Sequence, residues 1–348
     1  MAELSSGLRT SHIGRGVAPI LGFATLTAAL DVYGGNKLQV ISPETMAAIS
    51  FSLAAVFFLG LEITRRGAAA TFRPMRTHSY DVTAINVTTA VTWLSMLYSL
   101  KYLEPAVVSI VVVALGPVLT LLMGPLLRRG SSVIGAEIGV SLGISAVLGV
   151  LVWGSFTGRS GVGDVGTGQA ALGMLFALLC GVGSTANIIY MKRLSETGHS
   201  PQAVLAIRFF LMIAISWVMT ALSDNPELGA GFVPGLIVAV IGVGLPIYVL
   251  QIGIRHTEPI TTSLLLSLSP LITFLLQFLD GRLRPSALTL TGIFAIVVLV
   301  GAGTLARSRY DARTSPPEEE KPLPTAPEPE PEPAQSETSP AQSKEELS

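Results

Sequence analysis

Ten stretches of about 20 mostly apolar residues, each long enough to cross a bilayer, succeed one another along this chain. They run at 17–39, 44–64, 81–101, 105–127, 133–154, 168–191, 201–222, 231–254, 259–280 and 286–306. A backbone in lipid must satisfy its hydrogen bonds within one segment or in a closed barrel. Runs this long and uniform suit helices rather than barrel strands. Half of the 348 residues are apolar and only 13% are charged, against roughly a quarter charged in a soluble domain. The expected fold class is therefore all-α: an integral membrane protein of ten transmembrane helices. Pro43, Pro105, Pro201, Pro259 and Pro285 fall at helix starts, where a missing N–H costs nothing.

The ends differ from the middle. Residues 1–16 are polar and read as a cytoplasmic N-terminal segment. The run that follows lacks a small-residue cleavage site and reads as a retained span. From Ser315 the chain holds nine Glu, two Lys and nine Pro, so residues 307–348 read as a disordered, Pro/Glu-rich cytoplasmic tail. Before Ser315, 20 basic residues stand against 14 acidic ones. The single cysteine, Cys180, excludes an internal disulfide. The four histidines fall in loops or at span ends. Neither a metal, another cofactor nor a nucleic-acid partner is expected.

The ten runs divide into two similar sets. Leu100-Lys101-Tyr102-Leu103-Glu104-Pro105 opens a run broken by Gly116-Pro117, and Ile254-Arg255-His256-Thr257-Glu258-Pro259 opens one broken by Ser269-Pro270. The offsets are 154 residues at the Glu-Pro and 153 at the internal proline, the length of a duplicated domain. Asp31 through Leu38 lines up with Asn187 through Leu194, and Pro43 through Ser50 with Pro201 through Arg208. The expected units are five-helix halves at 17–154 and 168–306, joined by a loop at 155–167. Five spans per half force the second to run inverted, and inverted halves enclose a site near the bilayer midplane. With the N-terminus inside, cytoplasmic segments carry fourteen Lys and Arg against five outside, which favours two cytoplasmic termini.

Asp31 is the most informative residue. A carboxylate inside the first span is costly and usually faces a cavity or a partner. It reads as a ligand for substrate or a coupling proton, or as a structural hydrogen-bonding group facing Lys37 or a neighbouring helix. Arg208, two turns into the seventh span, suits an anionic substrate; snorkelling or a buried acid partner is the competing reading. Asn86, Thr88, Thr89, Thr92 and Asn187 either line a polar path or make interhelical hydrogen bonds of about 0.6 kcal/mol each. Trp93 and Tyr98 form a substrate face or fill the bundle. Pro117 and Pro270, inside their runs, read as hinges or as static kinks, and Pro246 as a kink in the eighth span. Gly135, Gly139 and Gly143 permit close helix approach, within the chain or in a homodimer. Glu104 and Glu258, three residues after Lys101 and Arg255, read as ion-paired interface anchors.

Ten spans in two inverted halves resemble the drug/metabolite transporter superfamily, and its EamA-like members in particular. The likeness rests on Ser99-Leu100-Lys101-Tyr102 to Gly116-Pro117-Val118, on Gly253-Ile254-Arg255 to Ser269-Pro270-Leu271, and on Arg284-Pro285 with Gly292. It covers about 17–306. It implies a secondary active transporter rather than an enzyme: a permease, often an exporter, in the plasma membrane. The implied cargo is an amino acid or other small metabolite, moved with protons or by exchange. Two positions depart from the family: Asp280-Gly281 replaces a Gly-Glu pair, and Ser50 stands where an arginine is common. Asn36-Lys37-Leu38 is similar to the Asn-Lys element of triose-phosphate and nucleotide-sugar translocators. That likeness adds Asn36 to the candidate site and a sugar-phosphate or nucleotide-sugar exchanger as the second expectation, though the lysine-rich ninth helix of those carriers is missing. A polytopic membrane enzyme fits less well, for want of a His–acid pair, clustered carboxylates or a phosphate-cradling glycine motif.

Overall fold

The computed structural model describes residues 2–127, 135–159, 166–224, 226–255 and 265–314. These form thirteen α-helices: α1 Ala2–Lys37, α2 Pro43–Arg66, α3 Ala68–Thr77, α4 Ser79–Tyr102, α5 Pro105–Leu127, α6 Gly135–Phe156, α7 Thr167–Glu196, α8 Pro201–Ile207, α9 Phe210–Leu222, α10 Leu228–Val238, α11 Leu245–Arg255, α12 Ser269–Leu276 and α13 Ala287–Thr314. A π-helical turn, Ala239–Gly244, joins α10 to α11, and a 3-10 turn, Gln277–Leu279, follows α12. No strand forms among the described residues. The acidic tail from Ser315, the loop around Arg128, and Glu258 lie outside them.

Seven stretches among the described residues are long and apolar enough to cross a bilayer: Gly16–Lys37, Pro43–Arg66, Ile138–Phe156, Thr167–Met191, Gln202–Leu222, Leu228–Leu250 and Ala287–Tyr310. Pro105–Gly116 and Ser269–Leu279 are shorter apolar stretches. The expected third span, 81–101, is a helix of full length, α4, but Asn86 and Thr83, Thr88, Thr89 and Thr92 make it too polar to count by composition. So the described residues supply seven clear spans where ten were expected.

Local chemistry explains the other departures. α1 runs unbroken from Ala2 through the expected segment 1–16 into the apolar stretch from Gly16, with no proline before Pro19. The seventh span is two helices, α8 and α9, parted at Arg208 and Phe209. Pro246 lacks an N–H and crowds the carbonyl four residues earlier; the wide turn at Ala239–Gly244 stands just before it. Pro117 and Pro270 are not equivalent. The backbone of α5 passes through Pro117 as helix, whereas Pro270 sits in the first turn of α12, after a turn at Ser267 and Leu268. Proline is at home in a first turn. α2 and α8 begin alike, with Ser42-Pro43 and Ser200-Pro201. In each the serine hydroxyl accepts an N–H three residues on, from Thr45 or Ala203.

Lipid tails are as apolar as leucine, so close packing must hold such helices together. α4 lies along α7, α1 along α11, and α6 along α13; α5 touches both α7 and α12, and α2 packs on α9 and α10. Glycines set the closest approaches. A Cβ on Gly183 of α7 would stand 3.0 Å from the Thr92 backbone nitrogen of α4. Gly143 and Gly154 of α6 receive Leu299 and Leu288 of α13, and Gly292 and Gly303 receive Leu151 and Val140 in return. Gly143 thus packs within the chain, while Gly135 and Gly139 face open space. Phe51, Ile110, Leu97, Phe209 and Ile144 fill the interior. Trp153, Phe294, Leu222 and Leu279 point outward, as a lipid-facing surface requires.

Candidate functional site

The break between α8 and α9 frees the Ile207 carbonyl and the Leu211 N–H, and a freed backbone group inside a membrane needs a partner. Asn86 of α4 supplies both. Its amide nitrogen donates to the Ile207 carbonyl at 2.9 Å, and its oxygen accepts the Leu211 N–H at 3.3 Å. The same nitrogen also donates to the Val82 carbonyl at 2.9 Å. Asn86 is therefore 8% exposed and occupied by structural bonds.

The break sets Arg208 where α4, α7 and α8 meet. Its Nη2 donates to Asn187 Oδ1 at 2.7 Å and its Nε to Thr89 Oγ1 at 3.2 Å; Nη1 lies 3.9 Å from Met191 Sδ. Asn187 in turn donates to Thr89 Oγ1 at 2.8 Å and Thr88 Oγ1 at 3.2 Å. No ion pair reaches Arg208 among the described residues. Among the described residues, only neutral groups hold the guanidinium. Its carbon lies 5.6 Å from the Phe209 ring centre. Phe209 is tilted on Phe51 at 5.4 Å, and Trp93 meets Phe51 edge-on at 5.0 Å. Arg208, Asn187, Thr89 and Trp93 thus belong to one neighbourhood, with an aromatic wall on one side.

Asp31 does not join them. It is 4% exposed on α1, and its Oδ1 has no hydrogen-bond partner among the described residues. Ser109 of α5 and Cys180 of α7 are its polar neighbours. Cys180 and Asn187 are seven residues apart on α7, about 10 Å along the axis, so Asp31 and Arg208 sit at different depths. Lys37 is not its partner: the ammonium lies 5.7 Å over the Tyr33 ring. Asn36 is further away still. It donates to Asp280 Oδ1 at 3.2 Å, beside the bidentate Arg282 pair. Burial there pushes the Asp280 carboxyl up, but the bonds and charge of Arg282, with Asn36, outweigh it and hold it below the ordinary carboxylate range. Asp280 thus fastens the end of α1 to the turn after α12.

Sequence reasoning misread one acid and missed two. Glu104 is no interface anchor. It is 1% exposed, accepts from Gln277 Nε2 at 2.8 Å and Thr289 Oγ1 at 2.9 Å, and leaves Lys101 over Tyr102. Gln277 Oε1 meanwhile accepts the Ala106 N–H at 2.6 Å. This knot ties the start of α5 to α12 and α13. Glu62, 2% exposed, pairs with Arg66 at 3.2 Å, and the four-residue spacing was the available signal. Glu44 accepts the Tyr98 hydroxyl at 2.7 Å, so Tyr98 is a packing and bonding residue stacked on Phe176.

Residues 171–303 match the model of the EamA-like transporter family, part of the drug/metabolite transporter superfamily. That stretch of the chain is similar to the EamA-like transporters, and the apolar helices mark a multi-pass integral membrane protein. The match spans the second five-helix stretch expected from the sequence. A solved structure described only as "Crystal structure of protein" is similar in fold, with a TM-score of 0.57 and 19% identity over 85% of this chain and 98% of its own. At that identity the likeness concerns the fold alone. None of the curated proteins matches.

Proposed function

We propose that this protein is an EamA-family secondary active transporter exporting a small polar metabolite with a carboxylate, amino acids included, by alternating access. The observation that carries the reading is Arg208: a cation inside the bundle, at a helix break, bonded among the described residues only to neutral groups. A charge kept there without a counter-ion is costly and marks a substrate path. A guanidinium has five donors in a planar fork suited to a carboxylate. Two of them meet side-chain oxygens here, which leaves donors for a solute. Asn187, Thr89 and Trp93 complete that pocket. Asp31, with one oxygen unbonded, is the candidate for a coupling proton.

The halves 17–154 and 168–306 are read as inverted repeats crossing as ten spans. The helix pairs support this: α4 on α7 corresponds to α11 on α1, and α5 on α7 to α12 on α1. Pro117 and Pro270 serve as hinges for the rocking of one half on the other. Both termini then lie in the cytoplasm of a cell bounded by this plasma membrane. A phosphate also suits Arg208, so a sugar-phosphate or nucleotide-sugar exchanger remains the second reading, favoured by Asn36. Uptake into proteoliposomes separates them. Carboxylated solutes driven by a pH gradient, without preloading, support the first; strict dependence on a preloaded phosphate ester supports the second. No flux of either class overturns both.

A further inference from the structure

Residues 63–80 contain four arginines and no acid. Gly67, at φ +80°, turns the chain within one residue, so α3 starts directly after Arg65 and Arg66 end the α2 span. α3 therefore starts where the apolar stretch Pro43–Arg66 ends. A rotation of about 100° per residue gives α3 three faces. Thr71 and Pro74 are buried toward its neighbours α2, α4 and α8. Met75, Ala68 and Phe72 share the next face, with Met75 40% and Phe72 38% exposed. Arg73, Ala69 and Arg76 share the outermost face and are exposed. Apolar side chains beside a basic face are the pattern of a helix lying in a membrane interface.

Among the described residues the charge is neutralised only in part. Glu62 holds Arg66, but Arg65, Arg73 and Arg76 make no ion pair among the described residues. The neighbouring Arg193 is taken by Asp81 at 3.1 Å. His199, edge-on to His78 at 5.4 Å, registers the excess. Burial first, and then the charges of His78, Arg66 and Arg73, hold its imidazole below the ordinary range.

We propose that α3 docks on anionic phospholipid headgroups of the leaflet in which α2 ends, with Phe72 and Met75 in the acyl boundary and Arg65, Arg73 and Arg76 on the phosphates. The purified full chain in neutral detergent, titrated with short-chain phosphatidylglycerol or phosphatidylcholine, tests this by native mass spectrometry and melting. Phosphatidylglycerol should bind more tightly and raise the midpoint more. Arg73→Gln with Arg76→Gln should weaken its binding roughly 30-fold, while Arg284→Gln, in the turn before α13, should not. High salt should erase the wild-type preference, a readout that needs no variant to fold. Equal binding of the two lipids, an unaffected double variant, an equal loss in Arg284→Gln, or the same stabilisation by inorganic phosphate alone would overturn the proposal.

Discussion

Replacing Glu104 with alanine should destabilise the bundle more than replacing it with glutamine, and the geometry sets the size of both effects. The carboxylate accepts from Gln277 Nε2 and Thr289 Oγ1. Charge-assisted bonds are worth about 1.5–3 kcal/mol each, so roughly 6 kcal/mol is the ceiling. Interhelical bonds in membrane proteins average about 0.6 and reach about 1.7 kcal/mol, and two at the upper value give about 3 kcal/mol. Alanine also strands Gln277, which cannot turn its amide because its oxygen is committed to the Ala106 N–H. Glutamine keeps one acceptor oxygen for Gln277 and can donate to a reoriented Thr289 hydroxyl, so its cost should be about 1 kcal/mol. In detergent, tryptophan fluorescence should show the alanine midpoint falling by roughly 5–10 °C and the glutamine midpoint by a few degrees. An alanine variant melting with the wild type, or a glutamine variant as damaged as alanine, would refute this account of the knot.

Other predictions follow from single contacts. Asn86→Ala leaves the Ile207 carbonyl and Leu211 N–H at the helix break unpaired, and at about 1–3 kcal/mol per group it should lower the midpoint and loosen Arg208; proteolysis near 208 would report it. Gly183→Ala drives a methyl to within 3.0 Å of the Thr92 backbone and should cost about 1–3 kcal/mol, whereas Gly149→Ala, with open space around it, should be neutral or stabilising; equal midpoints would contradict the α4–α7 packing. Because Asp280 is held below its ordinary range, its contribution is present at neutral pH and is lost only as acid protonates it. Asp280→Asn should therefore be less stable than wild type at neutral pH, with the gap closing as the pH falls below the ordinary carboxylate range; a gap independent of pH would sink that reading.

The sequence made the helices legible because lipid leaves so few choices: a run of about 20 apolar residues is a helix or nothing. α4 shows the limit of that signal. Its polar residues weaken it as a span, and those same residues, Asn86, Thr88 and Thr89, build the site. Arg208 was visible as a charge in an apolar run, but not the break that places it, since no proline or glycine marks Ile207 to Phe210. The repeat aligned Asp31 with Asn187 and thereby suggested a single site. Helix depth separates them, and sequence periodicity carries no depth between helices. Glu104 was misread because an i, i+3 neighbour of opposite charge, Lys101, offered a local explanation; Gln277 and Thr289, which it accepts from, are more than 170 positions away.

The most direct measurement is solute binding to the purified protein with Arg208 intact and with Arg208→Gln. Calorimetry against matched pairs, each an acid and its neutral amide, isolates the anionic group. The account predicts that wild type prefers the acid and that the preference disappears in Arg208→Gln while the fold, followed by melting, persists. An acid preference that survives the substitution would contradict it.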